Sequence, residues 1–258
     1  SVLSPYLVQM SIFSAIDSTE RTMGEAAFSI NGEVEFENGA APLRIANMYS
    51  GNFSIAAQVA LAAASPLAYA MESGFDALKP KRIALHIDSY PAKRELRIDR
   101  MWSSRREVRP GERVEVTVAL SGDNGFETTR TIGYQVPVGA PAGPLQFTAS
   151  DAASVNFADY AQLLIDTPRT AAQIVAFLNG LHSNTKAYVR VLRAEPSFTV
   201  DGQALPAAPP SLAIVMGRSQ TSPAGALANA SSKLAEFEIG AGDMVIGGSK
   251  TIQVEVKE

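Results

Sequence analysis

Few residues in this chain could do chemistry, and their spacing decides what chemistry is open to them. The 258 residues include two histidines and no cysteine. Histidine-dependent proton transfer must therefore use His86 or His182, and disulfides and zinc-thiolate sites are excluded. His86 lies in Leu85-His86-Ile87 on the polar side of an alternating stretch. His182 follows an apolar helical stripe, where a cation complements the helix C-terminus. Neither stands near a serine in a nucleophile-elbow sequence, so surface or capping roles are expected. Two histidines are also too few for a His-rich metal site.

The carboxylates read the same way. Glu33, Glu35 and Glu37 share one strand face, as do Glu236 and Glu238. Glycosidase carboxylates must face each other across a sugar, whereas these are neighbours along a strand, so a solvated face or an edge-strand charge barrier is expected. Asp123-Asn124-Gly125 lacks the spaced acidic pattern of a calcium loop and reads as a turn. The only tryptophan, Trp102, has the parity of Ile98 and is expected in the core rather than on a sugar platform. Tyr6, Tyr49, Tyr69, Tyr90, Tyr134, Tyr160 and Tyr188 are dispersed and form no stacking stripe. Gly240-Ala241-Gly242 is too short for a nucleotide loop, and Gly247-Gly248-Ser249 leads into a strand. No catalytic, cofactor-binding or metal-ligating residue is assigned, and no cofactor is implied. A carboxylate hydrolase would need two facing carboxyls in a cleft, an arrangement the sequence leaves open.

The elements that would position these residues are mostly strands. In Glu107 to Leu120 a Pro110-Gly111 turn delivers Val114, Val116, Val118 and Leu120 to one face, with Arg113, Glu115 and Thr117 on the other. Before it, Ile83, Leu85 and Ile87 alternate with Arg82, His86 and Asp88; a Tyr90-Pro91 turn leads to Leu96, Ile98 and Trp102 on one face. After it come Ile132, Tyr134, Val136 and Val138, then Leu145 and Phe147. Such spacing predicts an immunoglobulin-like antiparallel sandwich.

The first 78 residues differ. Ser4-Pro5 starts a helix to about Ile16, and Asn31-Gly32 between Ala27/Ile30 and Val34/Phe36 predicts a hairpin. Leu43 to Tyr49 adds a third strand, and Ser50-Gly51-Asn52 caps an alanine-rich helix. Phe53 to Met71 is nominally long enough to span a bilayer, but Gln58 and Ser65-Pro66 favour a buried helix pair. Later, a short helix is expected near Asp159 to Ile165, and Thr167-Pro168 caps a helix with the stripe Ile174, Phe177, Leu178 and Leu181. Strands follow at Ala187 to Leu192 and Phe198 to Val200, with a turn at Asp201-Gly202. Ser211 to Met216 is strand or a helical turn, and Gly217 to Ser232 a mobile loop. Two closing strands carry Ala235, Phe237, Ile239 and Ile252, Val254, Val256. The fold class is α+β: an α+β layer over residues 1–78 and a sandwich-like domain over 79–258 with a helical insertion at about 157–183.

Composition narrows the partners. A net charge of −4 leaves no basic field for a phosphate backbone, so nucleic acid is excluded as an expected partner. The start Ser1-Val2-Leu3-Ser4-Pro5 has neither an initiator Met nor a basic n-region and reads as a processed segment.

Met23-Gly24-Glu25, Leu43 to Ser50, Trp102, Val108-Arg109-Pro110-Gly111-Glu112, Lys186 to Leu192 and Gly248 to Val256 together resemble the non-catalytic C-terminal region of bacterial proteins that carry a SpoIVB-type serine peptidase domain upstream. The resemblance implies export to the cell envelope or exterior within a multidomain protein. That family presents its serine in a Gly-Asp-Ser-Gly-like context and its histidine after glycine. Here Gly242-Asp243-Met244 lacks the serine, and His86 and His182 each follow leucine. The resemblance therefore carries over no catalytic residue. It implies a non-enzymatic accessory or scaffold region that positions or presents a partner, which is the upstream peptidase-like domain or another envelope protein. The alternative is a peptide- or glycan-binding module of the cell envelope.

Overall fold

The computed structural model describes residues 4–19, 23–37, 39–123, 125–165, 170–194, 197–200, 203–205, 227–229 and 232–258. Its contacts divide the chain into two units: Ser1–Glu95, Pro168–Thr185 and Ala241–Val245 form the first, and Leu96–Thr167, Lys186–Gly240 and Ile246–Glu258 the second. The fold class is α+β, with several antiparallel sheets.

In the first unit, α1 (Ser4–Thr19) precedes β1 (Met23–Phe36), β2 (Leu43–Phe53), α2 (Ile55–Glu72) and β3 (Pro80–Tyr90). The central strand β1 pairs antiparallel with β2 on one side and β3 on the other. Phe28, Ile30, Val34 and Phe36 of β1 project to one face with Leu43 and Ile45 of β2. That face meets Ile12 and Ile16 of α1, Val59, Ala63 and Leu67 of α2, and Ile174 and Leu178 from a later helix. Burial of such side chains, each contributing about 1.5–3 kcal/mol, drives the assembly.

Two turn signals are overridden here. Asn31-Gly32 is not a hairpin, because β1 runs straight through it and Gly32 pairs with Ile45 and Leu85 at once. Its φ is not positive, as a hairpin turn of this type would require. Instead the glycine admits a neighbouring backbone: a Cβ there would stand 2.0 Å from the Ala84 carbonyl oxygen. Ser65-Pro66 likewise does not split the alanine-rich segment, which is one 18-residue helix with Pro66 inside it. The Ser65 hydroxyl donates to the Leu61 carbonyl (2.7 Å), and the buried row Val59, Ala63, Leu67 and Ala70 holds the helix to the core despite the proline. By length and composition α2 could cross a membrane. The predicted cap Ser50-Gly51-Asn52 belongs to β2, and Ser54 takes the N-cap position at φ 54°.

The expected boundary near residue 79 does not follow the contacts. The stretch from Pro80 to Tyr90 completes the first unit's sheet rather than forming a hairpin with the strand after it. The helices split too: α3 (Ala152–Ile165), which begins before the predicted Asp159, falls in the second unit and α4 (Ala171–Asn179) in the first. Thr170 and Gln173 form a capping box at the start of α4, while the predicted cap Thr167-Pro168 lies outside the described residues.

The second unit holds β4 (Glu95–Ser103), β5 (Glu107–Val108), β6 (Arg113–Ser121), β7 (Glu127–Gln135), β8 (Gly143–Asp151), β9 (Lys186–Arg193), β10 (Ser197–Val200), β11 (Gln203–Leu205), β12 (Leu227–Asn229), β13 (Ser232–Gly240), β14 (Val245–Gly247) and β15 (Ser249–Val256). They form a five-stranded sheet β13-β9-β8-β15-β5, a four-stranded sheet β14-β4-β6-β7 and a small sheet β11-β10-β12. The segment from Glu107 to Leu120 is two strands. Its turn has Gly111 at φ 86° with Glu112 N–H donating to the Arg109 carbonyl (3.0 Å), the pattern of a type II Pro-Gly turn. This turn separates β5, parallel to β15 in one sheet, from β6 in the other. The apolar sides of the two larger sheets meet where the Tyr134 ring packs edge-on against Phe147 (5.8 Å between centroids) and Phe237 (6.5 Å). The turn at Asp201-Gly202 and the segment from Ser211 to Met216 lie outside the described residues, as does most of Gly217 to Ser232.

Two consequences can be measured. Gly32→Ala must displace the β3 backbone, and urea unfolding should show a loss of about 1–3 kcal/mol; an unchanged midpoint would refute the close approach. Tyr49 on β2 has its pKa raised from 10.0 to about 12, because burial disfavours the phenolate more than a hydrogen bond with Asn47 favours it. The unfolded chain ionises this group first, so stability is retained below pH 10 and lost as pH rises towards 12. Tyr49→Phe should remove on the order of 2 kcal/mol of that alkaline loss, read as a flatter stability profile than wild type between those limits.

Candidate ligand-binding face

On the solvent side of β3, His86 Nε2 lies 3.0 Å from Asp88 Oδ1, and the Ser29 hydroxyl donates to Asp88 Oδ2 (3.1 Å). Serine, carboxylate and histidine are thus linked in the wrong order for hydroxyl activation, which requires the imidazole to contact the serine and the carboxylate to orient the imidazole. The His86 side chain is 76% exposed. His182 lies just past the end of α4, half-buried.

The glutamate row on β1 sits among basic partners. Arg82 bonds Glu35 at 3.2 Å, Glu33 stands opposite Arg44 in the ladder, and exposed Glu37 follows the strand. On β13, Glu238 pairs with Lys186, and Glu236 accepts from Arg190 (2.6 Å). Arg190 also holds both carboxylate oxygens of Asp159, at 2.7 Å each. Desolvation works against the Arg190 charge, but its bonds to Asp159 and Glu236 outweigh it and hold the guanidinium above its ordinary pKa. These contacts fasten α3 to the outer side of the five-stranded sheet, where Ala152 and Val155 pack on Tyr188. Among the described residues, no group of three or more His, Asp or Glu side chains could hold a metal ion. Asp123 is exposed, and Asn124 lies outside the described residues.

While α3 packs on the five-stranded sheet, the outward side of the four-stranded sheet carries exposed side chains among the described residues. Here Trp102 departs from expectation. The β4–β6 ladder pairs Ile98 with Leu120 and Arg100 with Ala119, leaving Asp99 as an extra residue. This bulge inverts the parity of β4, so Met101 and Ser103 take the inward phase while Trp102 stands opposite Thr117 and points out, 45% exposed. Arg100 was the missed signal. It shares the parity of Ile98 and Trp102, and an uninterrupted strand would have driven a guanidinium into the core.

Around Trp102 the sheet presents hydrogen-bonding groups. Thr117 and Thr131 face each other across β6 and β7 with hydroxyls 2.9 Å apart. Glu115 and Arg113 continue the outward side of β6, both exposed. The Arg113 guanidinium lies over Gly133, where NH2 would be 2.2 Å from a Cβ. Glycine at this place lets the cation sit against the sheet surface beside Thr131. Arg100 and Thr129 stand at the other end, flanking Ala119.

The tyrosines remain scattered. Tyr134 and Tyr188 are core residues; burial raises the Tyr134 pKa, with the Arg193 charge acting in the opposite direction. Arg94 stacks over the Tyr90 ring at 3.8 Å. No protein-family model, curated protein or solved structure matches the chain.

The Arg190 contacts make a prediction for α3. Arg190→Ala leaves two carboxylates facing each other in a partly buried place, and its exposure limits the expected loss to about 1–2 kcal/mol. Hydrogen exchange should quicken across residues 152–160 before the rest of the unit; unchanged protection there would show that α3 is held by packing alone.

Proposed function

We propose that this chain is a non-enzymatic accessory region of a larger exported, peptidase-like protein, which it serves at the cell envelope by positioning or presenting a partner. The observation that carries the reading is the order Ser29–Asp88–His86. His86 and the Ser29 hydroxyl are both engaged by one carboxylate, so this serine donates to Asp88 and is not hydrogen-bonded to the imidazole. The resemblance to the region following SpoIVB-type peptidase domains supports the multidomain context. For the second unit we propose an immunoglobulin-like sandwich. The edge-on rings joining its two larger sheets and the sheet switch at Pro110-Gly111 support it. Solvent-facing Trp102 favours a second reading, a peptide- or glycan-binding module.

Incubation of the chain with a diverse peptide library, followed by mass spectrometry, should return the peptides intact. Cleavage that disappears in His86→Ala or His182→Ala would sink the proposal.

A further inference from the structure

The geometry points to a saccharide-binding site on the outward side of the four-stranded sheet, with Trp102 as the stacking platform for one pyranose ring of a neutral oligosaccharide. This inference rests on the second reading above and gives it a place and a ligand class. Three features of the face converge on such a ligand.

The first is shape. Trp102, Thr117 and Thr131 form one row across β4, β6 and β7. Adjacent strands lie about 4.8 Å apart, so the row spans about 10 Å, room for one or two sugar rings lying flat. An indole plane at one end of the row offers an apolar surface to the axial C–H groups of a pyranose. An aromatic with a wet edge suits a ligand that has an apolar face and a polar rim.

The second is hydrogen bonding. A hydroxyl ligand both donates and accepts, and the face supplies both kinds of group. The Thr117–Thr131 pair can do either, Glu115 accepts, and the Arg113 guanidinium donates. The Arg113 guanidinium lies over Gly133, which puts its donors on the same side of the sheet as the threonine pair.

The third is charge. Arg113 and Glu115 stand two residues apart on one side of β6, and Arg100 is accompanied by Asp99 at 3.0 Å and Glu127 at 3.7 Å. With exposed Arg97 on the same side of β4, three arginines stand against Asp99, Glu115 and Glu127, so positive and negative groups balance across the face, which complements an uncharged polyol. A polyanion would meet Glu115 and Glu127, and a basic peptide would meet Arg113 and Arg100.

Trp102 is the only tryptophan, so its intrinsic fluorescence reports on the site directly. Titration with cellohexaose, laminarihexaose and chitohexaose should give a saturable shift in Trp102 emission with at least one of them. Calorimetry on Trp102→Ala should show affinity reduced about tenfold or more, with Trp102→Phe recovering part of it. Thr117→Val should weaken binding by several-fold, about one lost hydrogen bond. Binding that persists in Trp102→Ala would overturn the site while leaving a glycan-binding module intact. No emission change with any of the three sugars would overturn the saccharide assignment, as would a saturable change with a peptide panel alone. Turnover of a bound sugar would instead overturn the non-enzymatic reading.

Discussion

Strand β6 admits one buried face, and the rest of the four-stranded sheet has to match it. Val114, Val116, Val118 and Leu120 fix the inward phase. On β4, Leu96 and Ile98 match that phase, but the next residues of the same parity are Arg100 and Trp102. An unbroken strand would bury both. Full burial of an aromatic side chain is worth about 3 kcal/mol, whereas an unpaired guanidinium in an apolar layer costs several kcal/mol or more. The cation decides the outcome. One extra residue, Asp99, shifts the strand by a position, Arg100 turns outward to Asp99 and Glu127, and Met101 takes the inward phase against Val118. Trp102 is carried out with Arg100, and the side of the sheet acquires its aromatic surface as a result.

Local pattern made a good part of the fold legible. The side chains of β6, the polar and apolar sides of β3 and the two closing strands follow from period alone, and β13 and β15 do share one sheet; of the stripe expected on α4, Ile174, Phe177 and Leu178 pack on the core, whereas Leu181 falls past the helix end and is exposed. Partner choice is not a local property. Ile83, Leu85 and Ile87 fit an antiparallel neighbour on either side in sequence, and the long-range pairing to β1 is settled by a core built from three helices. Asn31-Gly32 misleads because glycine serves two physical needs, positive φ in a turn and close approach of a backbone in a sheet, and the sequence does not separate them. Pro66 misleads because its local cost is set against burial of the whole helix face. For the candidate face, Thr117 and Arg113 were legible as outward residues, and only the bulge hid that Trp102 joins them.

Gly32 and Gly133 show the same device with different results. In the first unit, the missing side chain lets the Ala84 backbone close on the centre of a sheet. In the second, it lets the Arg113 guanidinium lie down on a sheet that would otherwise hold it away. The residue after Gly133 makes this more than a surface contact. Tyr134 points inward and packs edge-on against both Phe147 and Phe237, so β7 is anchored from the core at the point where Arg113 rests on it from outside. Thr131 stands two residues before, bonded to Thr117 on the strand whose inward side is fully buried. The hydrogen-bonding groups beside Trp102 are therefore mounted on strands with little freedom to move. Association with a rigid face loses less entropy than association with a loop, which matters most for a ligand class that has few apolar groups to offer.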